Sequence, residues 1–273
     1  MTGMRALELP KRATVNESAQ IIRVCLDAER EPSALELDAT RTETLGPFGA
    51  VLLASCVALR HRDGKETKLK LPEDSEDHPL VEAGLDRYVL GQELPQGAGI
   101  LRPLERLDDA GVQQVAAEMA ERDLDLTASA ASSIRSCLVE LLKNSFAWSD
   151  SSIGAMVLAR WNKKNHAVRL AVLDRGVGIP AVLRRKQIHD LHRSPDPDVI
   201  VAATTIPNLT SDAGAASGDG LNTIHELVTG RHGRMTVVSL AAKVAWVGTK
   251  LTKSPSPPLR GTAVEIEIKP DEG

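Results

Sequence analysis

The sequence predicts an α/β fold organised in two domains, and three features support this prediction. The chain has 273 residues, 42% of them hydrophobic and 26% charged, which suits two modest globular domains. Short apolar strand patterns alternate with helical patterns. Residues 92–103 are rich in glycine and proline, as linkers often are. We therefore expect an α/β domain over 1–91, a linker over 92–107 and an α/β sandwich over 108–270, with helices packed on one face of a mixed sheet.

The predicted elements follow from hydrophobic periodicity and turn residues. In the first domain they are strands at 34–37 and 67–71 and helices at 48–60 and 78–85. In the second they are helices at 108–122, 127–148 and 221–228, strands at 153–161, 167–173, 235–240, 243–247 and 262–268, and an irregular segment at 180–218. Thr127 is the expected N-cap of the longest helix.

Composition argues against nucleic-acid and membrane binding. The formal net charge is −4 and no long basic block occurs, so an electrostatic footprint for nucleic acid is missing. Aromatic residues make up only 2% of the chain, which argues against a base-stacking surface. No run approaches the ~18 apolar residues that a membrane span requires. Cys25, Cys56 and Cys137 are far apart in apolar contexts, so we expect buried, reduced thiols and a soluble, cytoplasmic protein.

The first candidate motif lies on the longest predicted helix. Glu140 and Asn144 are four residues apart, so both side chains project from one helix face. A carboxamide oxygen suits Mg²⁺, which keeps several waters and takes further oxygens from phosphates. Glu140 is the candidate catalytic residue, because a carboxylate there would orient or deprotonate the group that attacks a γ-phosphate. A solvated glutamate beside a helix-surface asparagine is the alternative interpretation.

The second motif directly follows a predicted apolar strand. Asp174 stands at the strand end, where a carboxylate can accept a hydrogen bond from the exocyclic amine of adenine. Gly176 and Gly178 allow positive φ and a close approach of the backbone to a ligand. With Ile179 they are candidates for nucleotide contact. A tight turn after a strand, with no ligand, is the alternative.

The last two motifs are short glycine-containing sequences. Gly218 and Gly220 precede Leu221 and a predicted helix, whose free N–H groups would make an anion site. Gly261 and Thr262 open the last predicted strand. The Thr262 hydroxyl is placed to support the adenine-binding carboxylate through a water.

Together these residues resemble the four signature boxes of the GHKL ATPase superfamily, which includes gyrases and histidine kinases and whose ATP site has the Bergerat fold. The resemblance covers the whole second domain and implies ATP and Mg²⁺ as cofactors. By this resemblance, Asn144 coordinates Mg²⁺ and Asp174 binds the adenine amine with help from Thr262. Gly218 and Gly220 are expected to let a helix N-terminus hold the phosphates.

The resemblance also implies a lid over residues 180–217 that closes on the nucleotide. Arg184, Arg185 and Lys186 in this segment are candidates for approaching the phosphates, with a solvated basic face as the alternative. Many signalling relatives follow the N-box asparagine with an acidic residue and a histidine, whereas residues 145–148 here are Ser-Phe-Ala-Trp. No helical hairpin with a phospho-acceptor histidine is evident, which argues against a complete sensor histidine kinase.

The first domain resembles a STAS domain, the fold of anti-anti-sigma factors, in its order of strand, loop, apolar helix, strand and short helix over residues 33–88. In phosphorylatable members a Ser or Thr lies in the loop before the apolar helix. Thr44 is the nearest counterpart here and Thr42 the second. The loop continues Gly-Pro-Phe-Gly in place of the usual Ser-Ser-Gly, and helix-capping hydroxyls are the alternative interpretation.

Two functions remain open at this stage. The first is a signalling ATPase or anti-sigma-type protein serine/threonine kinase, in which ATP orders the lid and changes the surface offered to a partner. The second is a non-catalytic interaction module, gated by different affinities of its ATP and ADP states for a partner. We expect ATP or ADP and a regulatory protein as partners, a possible homodimer, and no nucleic acid. A DNA-remodelling ATPase is disfavoured, because no transducer domain or basic surface is evident.

Overall fold

The α/β class predicted from the sequence is confirmed by a computed structural model, which describes residues 4–162, 164–207, 209 and 220–270. Parallel and antiparallel strand pairs are both present, but they occur in separate sheets. The strands are β1 (Arg5–Glu8), β2 (Arg12–Ala13), β3 (Leu35–Asp38), β4 (Thr44–Leu45), β5 (Thr67–Lys70), β6 (Arg102–Leu104), β7 (Ala155–Asn162), β8 (Ala167–Asp174), β9 (Arg234–Val247) and β10 (Lys250–Ile268).

The helices connect and cover these sheets. They are α1 (Ser18–Arg30), α2 (Pro47–Arg62), α3 (Pro79–Glu82), α4 (Leu85–Val89), α5 (Asp109–Ala117), α6 (Ala128–Ala147), α7 (Ile179–Arg185), α8 (Asp196–Thr205) and α9 (Gly220–Gly230). A π-helical turn, Glu118–Asp123, extends α5, and a 3₁₀ turn, His189–Arg193, lies between α7 and α8.

The N-terminal part forms a small parallel sheet in the order β1-β3-β5. Helix α1 connects β1 to β3, and α2 connects β3 to β5, which is the crossover that parallel pairing requires. The two helices pack against each other, and α1 contacts β1 while α2 contacts β5. Strands β2 and β4 form a separate two-residue parallel pair just before α2.

The larger sheet has the order β6-β7-β8-β10-β9, and every neighbouring pair in it is antiparallel. The mixed pairing expected for this sheet is therefore replaced by antiparallel pairing among the described strands. Strand residues alternate between two buried faces: Met156 and Leu158 of β7 face the α1–α2 layer, whereas Ala155 and Val157 face α6. Both faces are covered, which explains the nearly continuous apolar sequences of β7 and β8.

Helix α2 is apolar on every side because it is enclosed between two layers. Twelve of its sixteen residues are buried, including Phe48, Val51 and Leu52. One side contacts α1 and the parallel sheet, and the other contacts β7 and β8 of the antiparallel sheet. A helix that is hydrophobic all round is expected in such a position. The chain's first 91 residues and its antiparallel sheet therefore share one hydrophobic core.

Several elements differ from the expectations. Strand β6 lies inside the predicted linker at 92–107 and extends the antiparallel sheet. Helix α1 was not anticipated, and α7 and α8 occupy much of the segment expected to be irregular. None of the described helices combines the length and the apolar character needed to cross a bilayer. Cys25, Cys56 and Cys137 are buried and free.

Candidate functional site

A cavity lies on the α6 side of the antiparallel sheet, and residues of α7 and α8 also line it. It holds about 770 Å³ of atom-free space, including its opening to solvent. Most of its wall is aliphatic, which suits a flat apolar ligand held by a few polar groups. The lining residues are Leu141, Asn144, Ser145, Trp148, Ser149, Val172, Asp174, Gly178, Ile179, Val182, Leu183, Ala203, Leu209, Leu221, Thr262 and Val264.

Asp174 provides the charged group of this cavity. It is the last residue of β8, and only 5% of it is exposed. Its Oδ1 accepts a 2.9 Å hydrogen bond from the Gly176 N–H. Burial raises the pKa of Asp174 to about 7, because desolvation disfavours the carboxylate more than hydrogen bonds from Gly176 and Thr262 favour it. A ligand that donates a hydrogen bond to this carboxylate would offset part of that desolvation.

Thr262 lies directly opposite Asp174 in the β8–β10 pairing and belongs to a network of hydroxyl groups. The Ser239 Oγ donates to the Gly261 carbonyl at 2.8 Å and accepts from the Ile179 N–H at 3.1 Å. It also lies 3.1 Å from the Thr262 Oγ1. Because the single Ser239 proton is used on Gly261, Thr262 donates to Ser239 in this arrangement. The Thr262 lone pairs then remain available to a water or a ligand.

Ser239 has no counterpart among the residues predicted from the sequence. Its position is set by the pairing of β9 with β10, where it lies opposite Thr262. A lone serine within an apolar strand was the only signal, and it gave no indication of this partner. Trp148 and Ser145 also line the cavity from the end of α6, within the segment that departs from the family pattern.

The two glycines after Asp174 satisfy different steric requirements. A Cβ on residue 176 would overlap the carbonyl of Ser149, which accepts a 2.7 Å hydrogen bond from the Val177 N–H. Gly178 has φ +84°, a conformation that other residues rarely adopt. Ile179 follows as the first residue of α7. The motif therefore turns the chain sharply between β8 and α7 along the cavity wall.

The structure also brings together three residues from the other motifs. A Cβ on Gly220, at the start of α9, would lie 2.6 Å from the Glu140 Oε2 and 3.0 Å from the Asn144 Nδ2. Leu221 lines the cavity beside them. Glycine at 220 thus lets the N-terminus of α9 approach the polar face of α6. Gly218, predicted to bind phosphate, lies outside the described residues.

Asn144 contributes its side-chain amide to the cavity wall. Its Nδ2 is buried and has no hydrogen-bond partner within the described part of the chain. An unpaired buried amide is unfavourable, and a phosphate oxygen would satisfy it. Its carbonyl oxygen is a suitable ligand for Mg²⁺. No group of three or more His, Cys, Asp or Glu side chains placed to hold a metal occurs among the described residues, so a magnesium ion here would depend on Asn144, waters and ligand oxygens.

The described part of the predicted lid is ordered by its own contacts. Leu183 of α7 and Val199 of α8 form a small apolar cluster with Leu209. Arg184 pairs with Asp196 at 2.6 Å, within the same segment. Two further lid residues, Arg185 and Lys186, contact Asp150 at 3.7 Å and the Trp148 ring at 4.0 Å respectively. In this conformation the three basic residues thus contact protein groups. The predicted lid residues 208 and 210–217 lie outside the described residues.

The predicted phosphorylation candidates lie on the opposite side of the antiparallel sheet. Thr42 is buried and donates a 3.1 Å hydrogen bond to the Pro10 carbonyl. Thr44 is half-buried in β4. Helix α2 follows directly. A carboxylate already caps its first turn, since the Phe48 N–H donates to the Glu265 Oε2 at 2.8 Å.

No family model matches the sequence, and no curated protein matches it. Among solved structures, a similar chain is the B subunit of DNA gyrase from Myxococcus xanthus, with a TM-score of 0.31 and 8% sequence identity. The match covers 60% of this chain and 43% of that chain, so the chain spans less than half the length of the gyrase subunit.

Proposed function

We propose that this chain binds Mg·ATP in the cavity between α6, α7 and the antiparallel sheet, as a GHKL-type nucleotide-binding protein. Within that class we propose a signalling ATPase or an anti-sigma-type protein serine/threonine kinase. Nucleotide binding would order the lid and change the surface that a regulatory protein meets. Three expectations remain predictions: a STAS-like fold for residues 1–91, a regulatory protein as partner, and a homodimer.

The observation that carries the proposal is the buried Asp174 carboxylate in an otherwise largely apolar cavity. Ionised, it offers an acceptor to an exocyclic amine, and the neighbouring aliphatic side chains Leu141, Val172 and Val264 suit the faces of a purine. Thr262 supplies a hydroxyl beside it. No Lys or Arg is among the described residues that line the cavity, so the buried carboxylate favours a neutral hydrogen-bond donor such as adenine over an anionic ring.

The other end of the cavity supports binding of the phosphates. Asn144 has its unpaired Nδ2 there, and the N-terminus of α9 begins beside it at Gly220. A helix N-terminus and an unpaired amide both favour anions. Bound Mg²⁺ would supply charge neutralisation for the phosphates, with Asn144 as its protein ligand. Gly218 is proposed to complete this end.

Glu140 is the proposed general base. Its carboxylate lies against the N-terminus of α9, one helical turn before Asn144 on the same face of α6. From there it would orient a water, or the hydroxyl of a protein substrate, towards the γ-phosphate and accept its proton.

A thermal-shift titration tests nucleotide binding. ATP or ADP with Mg²⁺ should raise the Tm of the wild type by mass action. Asp174→Asn should lose most of this increase, because an amide in place of the carboxylate can present its N–H₂ group to the adenine amine. Asp77→Asn, at an exposed position, is the matched control and should behave like the wild type. An equal increase for Asp174→Asn and the wild type would refute the proposed contact.

A second experiment separates catalysis from binding. Incubation with γ-labelled ATP should release phosphate or label a protein, and Glu140→Gln should reduce this by about 100-fold or more while nucleotide binding persists. If Glu140→Gln is as active as the wild type, Glu140 is not the base. If wild-type turnover is absent and a partner binds only in the presence of ATP, the protein is a nucleotide-gated interaction module.

A further inference from the structure

A second cavity lies where α1 and α2 meet the ends of the antiparallel strands. It holds about 560 Å³ of atom-free space, including its mouth, and shares no lining residue with the proposed nucleotide cavity. Its lining residues are Glu29, Leu59, Arg60, Arg62, Asp63, Ser152, Arg175 and Arg260. Four arginines face two carboxylates, which leaves a net charge of +2.

Arg60 contributes its charge to this cavity, but its donors are already used. Its guanidinium donates to the carbonyls of Ala28, Glu31, Ser33 and Glu66 and to the Thr67 hydroxyl. Only 1% of the residue is exposed. The arrangement fixes a buried positive charge among the residues that line the cavity, with no carboxylate among those hydrogen-bond acceptors.

Arg175 contributes its guanidinium to the wall of the cavity. Its side chain is 2% exposed and forms an ion pair with Glu29 of α1. Its Nε is buried and has no hydrogen-bond partner among the residues that the structure describes. A buried unpaired N–H of a charged group is costly. Because Arg175 lines the cavity, its guanidinium can donate to an anion there while Glu29 keeps its contact with the Nη2.

Arg62 and Arg260 lie at the mouth of the cavity. The Arg62 side chain is 45% exposed and pairs with the similarly exposed Asp63 at 2.9 Å, a surface contact of the kind that contributes little. Arg260, on β10, is exposed. Both side chains are long enough to turn inward over a bound ligand. The donors would then approach from three separate segments: α2, the turn after β8, and β10.

We propose that this cavity is an anion-binding site that takes a small phosphate dianion. Guanidinium groups from three directions fit a tetrahedral group with several acceptor oxygens better than a planar carboxylate. The charge of +2 matches a dianion. The ligand is free phosphate or the phosphate group of a small phosphorylated metabolite. This proposal does not depend on nucleotide binding in the first cavity.

Isothermal titration calorimetry on the full chain, at constant ionic strength, tests the site with inorganic phosphate, glycerol 3-phosphate and acetate. Both phosphates should bind, and acetate should bind at least about tenfold more weakly, because it offers fewer oxygens and one charge. The tighter of the two phosphates identifies the source of the group. Phosphate binding no tighter than acetate binding would overturn the proposal.

Variants locate the binding. Arg260→Gln and Arg62→Gln should each weaken phosphate binding on the order of tenfold, as expected for one lost charge-assisted hydrogen bond. Both positions are exposed at the mouth, so folding should be retained. Arg23→Gln, an exposed arginine on α1 away from the cavity, is the matched control and should bind like the wild type. Equal affinities for all three variants would place the phosphate elsewhere and refute the site.

Discussion

The Glu265 Oε2 accepts a 2.8 Å hydrogen bond from the backbone N–H of Phe48, in the first turn of α2. Gly46, the N-cap of this helix, has no side chain to offer, and Glu265 reaches the helix from β10. Glu265 is 5% exposed and pairs with Arg169 at 2.6 Å. A side chain from the antiparallel sheet therefore caps a helix of the N-terminal part. Its negative charge also interacts favourably with the positive end of the helix dipole.

We predict that Glu265→Ala lowers the free energy of unfolding by about 2 kcal/mol, because it removes a helix cap and leaves the half-buried Arg169 with its longer contact to Glu267 at 3.5 Å. Urea denaturation followed by circular dichroism measures the change. Glu43→Ala, which breaks an exposed ion pair with Lys11 just before the same helix, should cost less than about 1 kcal/mol. If both variants lose a similar amount of unfolding free energy, the Glu265 cap does not stabilise the helix appreciably.

Asp174 should make the stability of the ligand-free protein depend on pH. Its pKa is raised to about 7 in the folded state by desolvation, above its ordinary value of 3.8. Below pH ~4 the carboxyl is protonated in both states and costs nothing extra. The cost grows as pH rises from ~4 to ~7, and is complete above that, at no more than about 4 kcal/mol.

Asp174→Asn should therefore stabilise the ligand-free protein above pH 7, and this gain should shrink towards zero as the pH falls to 4. The free energy of unfolding of both proteins, measured from pH 4 to 8, gives the comparison. A difference that stays constant over this range would show that the carboxylate does not titrate as its burial implies.

Gly176→Ala should disturb the turn after β8, since the added methyl would overlap the Ser149 carbonyl. We expect a loss of about 2–3 kcal/mol in unfolding free energy, together with weaker nucleotide binding. Gly230→Ala is the matched control, because nothing lies within 4 Å of its Cβ position at the end of α9. Thermal denaturation of the two variants measures the difference, and equal Tm values would contradict the predicted overlap.

The shared core predicts the behaviour of a fragment containing residues 92–273. Without α1 and α2, the face of the antiparallel sheet that carries Met156, Leu158 and Leu173 would be exposed to water. We expect this fragment to bind a hydrophobic dye and to self-associate in size-exclusion chromatography, whereas the full chain does neither. A monomeric fragment that unfolds cooperatively would instead support two independent domains.

Local patterns predicted helix α6 and strand β8 well. Helix α6 was expected at 127–148 and spans Ala128–Ala147, and Thr127 accepts the predicted capping hydrogen bond from the Ala130 N–H. Its boundaries depend on nearby residues alone, namely a capping hydroxyl and a stripe of apolar positions. Strand β8 was likewise expected at 167–173 and ends at Asp174.

Relationships between distant segments were not predictable from these patterns. The apolar sequence of α2 indicated a fully buried helix, but its partners lie more than 90 residues further along the chain, in β7 and β8. Ser239 acquires its role only because β9 pairs with β10. Helix α8 was missed because small residues and prolines at its start were interpreted as irregular structure, although its buried side, which includes Val199 and Ile200, stabilises it.

The ion pair between Arg175 and Glu29 has a consequence for protein engineering. Arg175 stands between Asp174 and Gly176, so the turn that shapes one cavity is tied covalently to a residue whose partner belongs to α1. A chimaera that exchanges the first ninety residues for those of another protein must therefore also supply an acid opposite position 175. Otherwise Arg175 would be left as a buried, unpaired cation in the chimaera. The two halves of the chain are consequently not interchangeable modules, and compensating substitutions should be sought at both positions together.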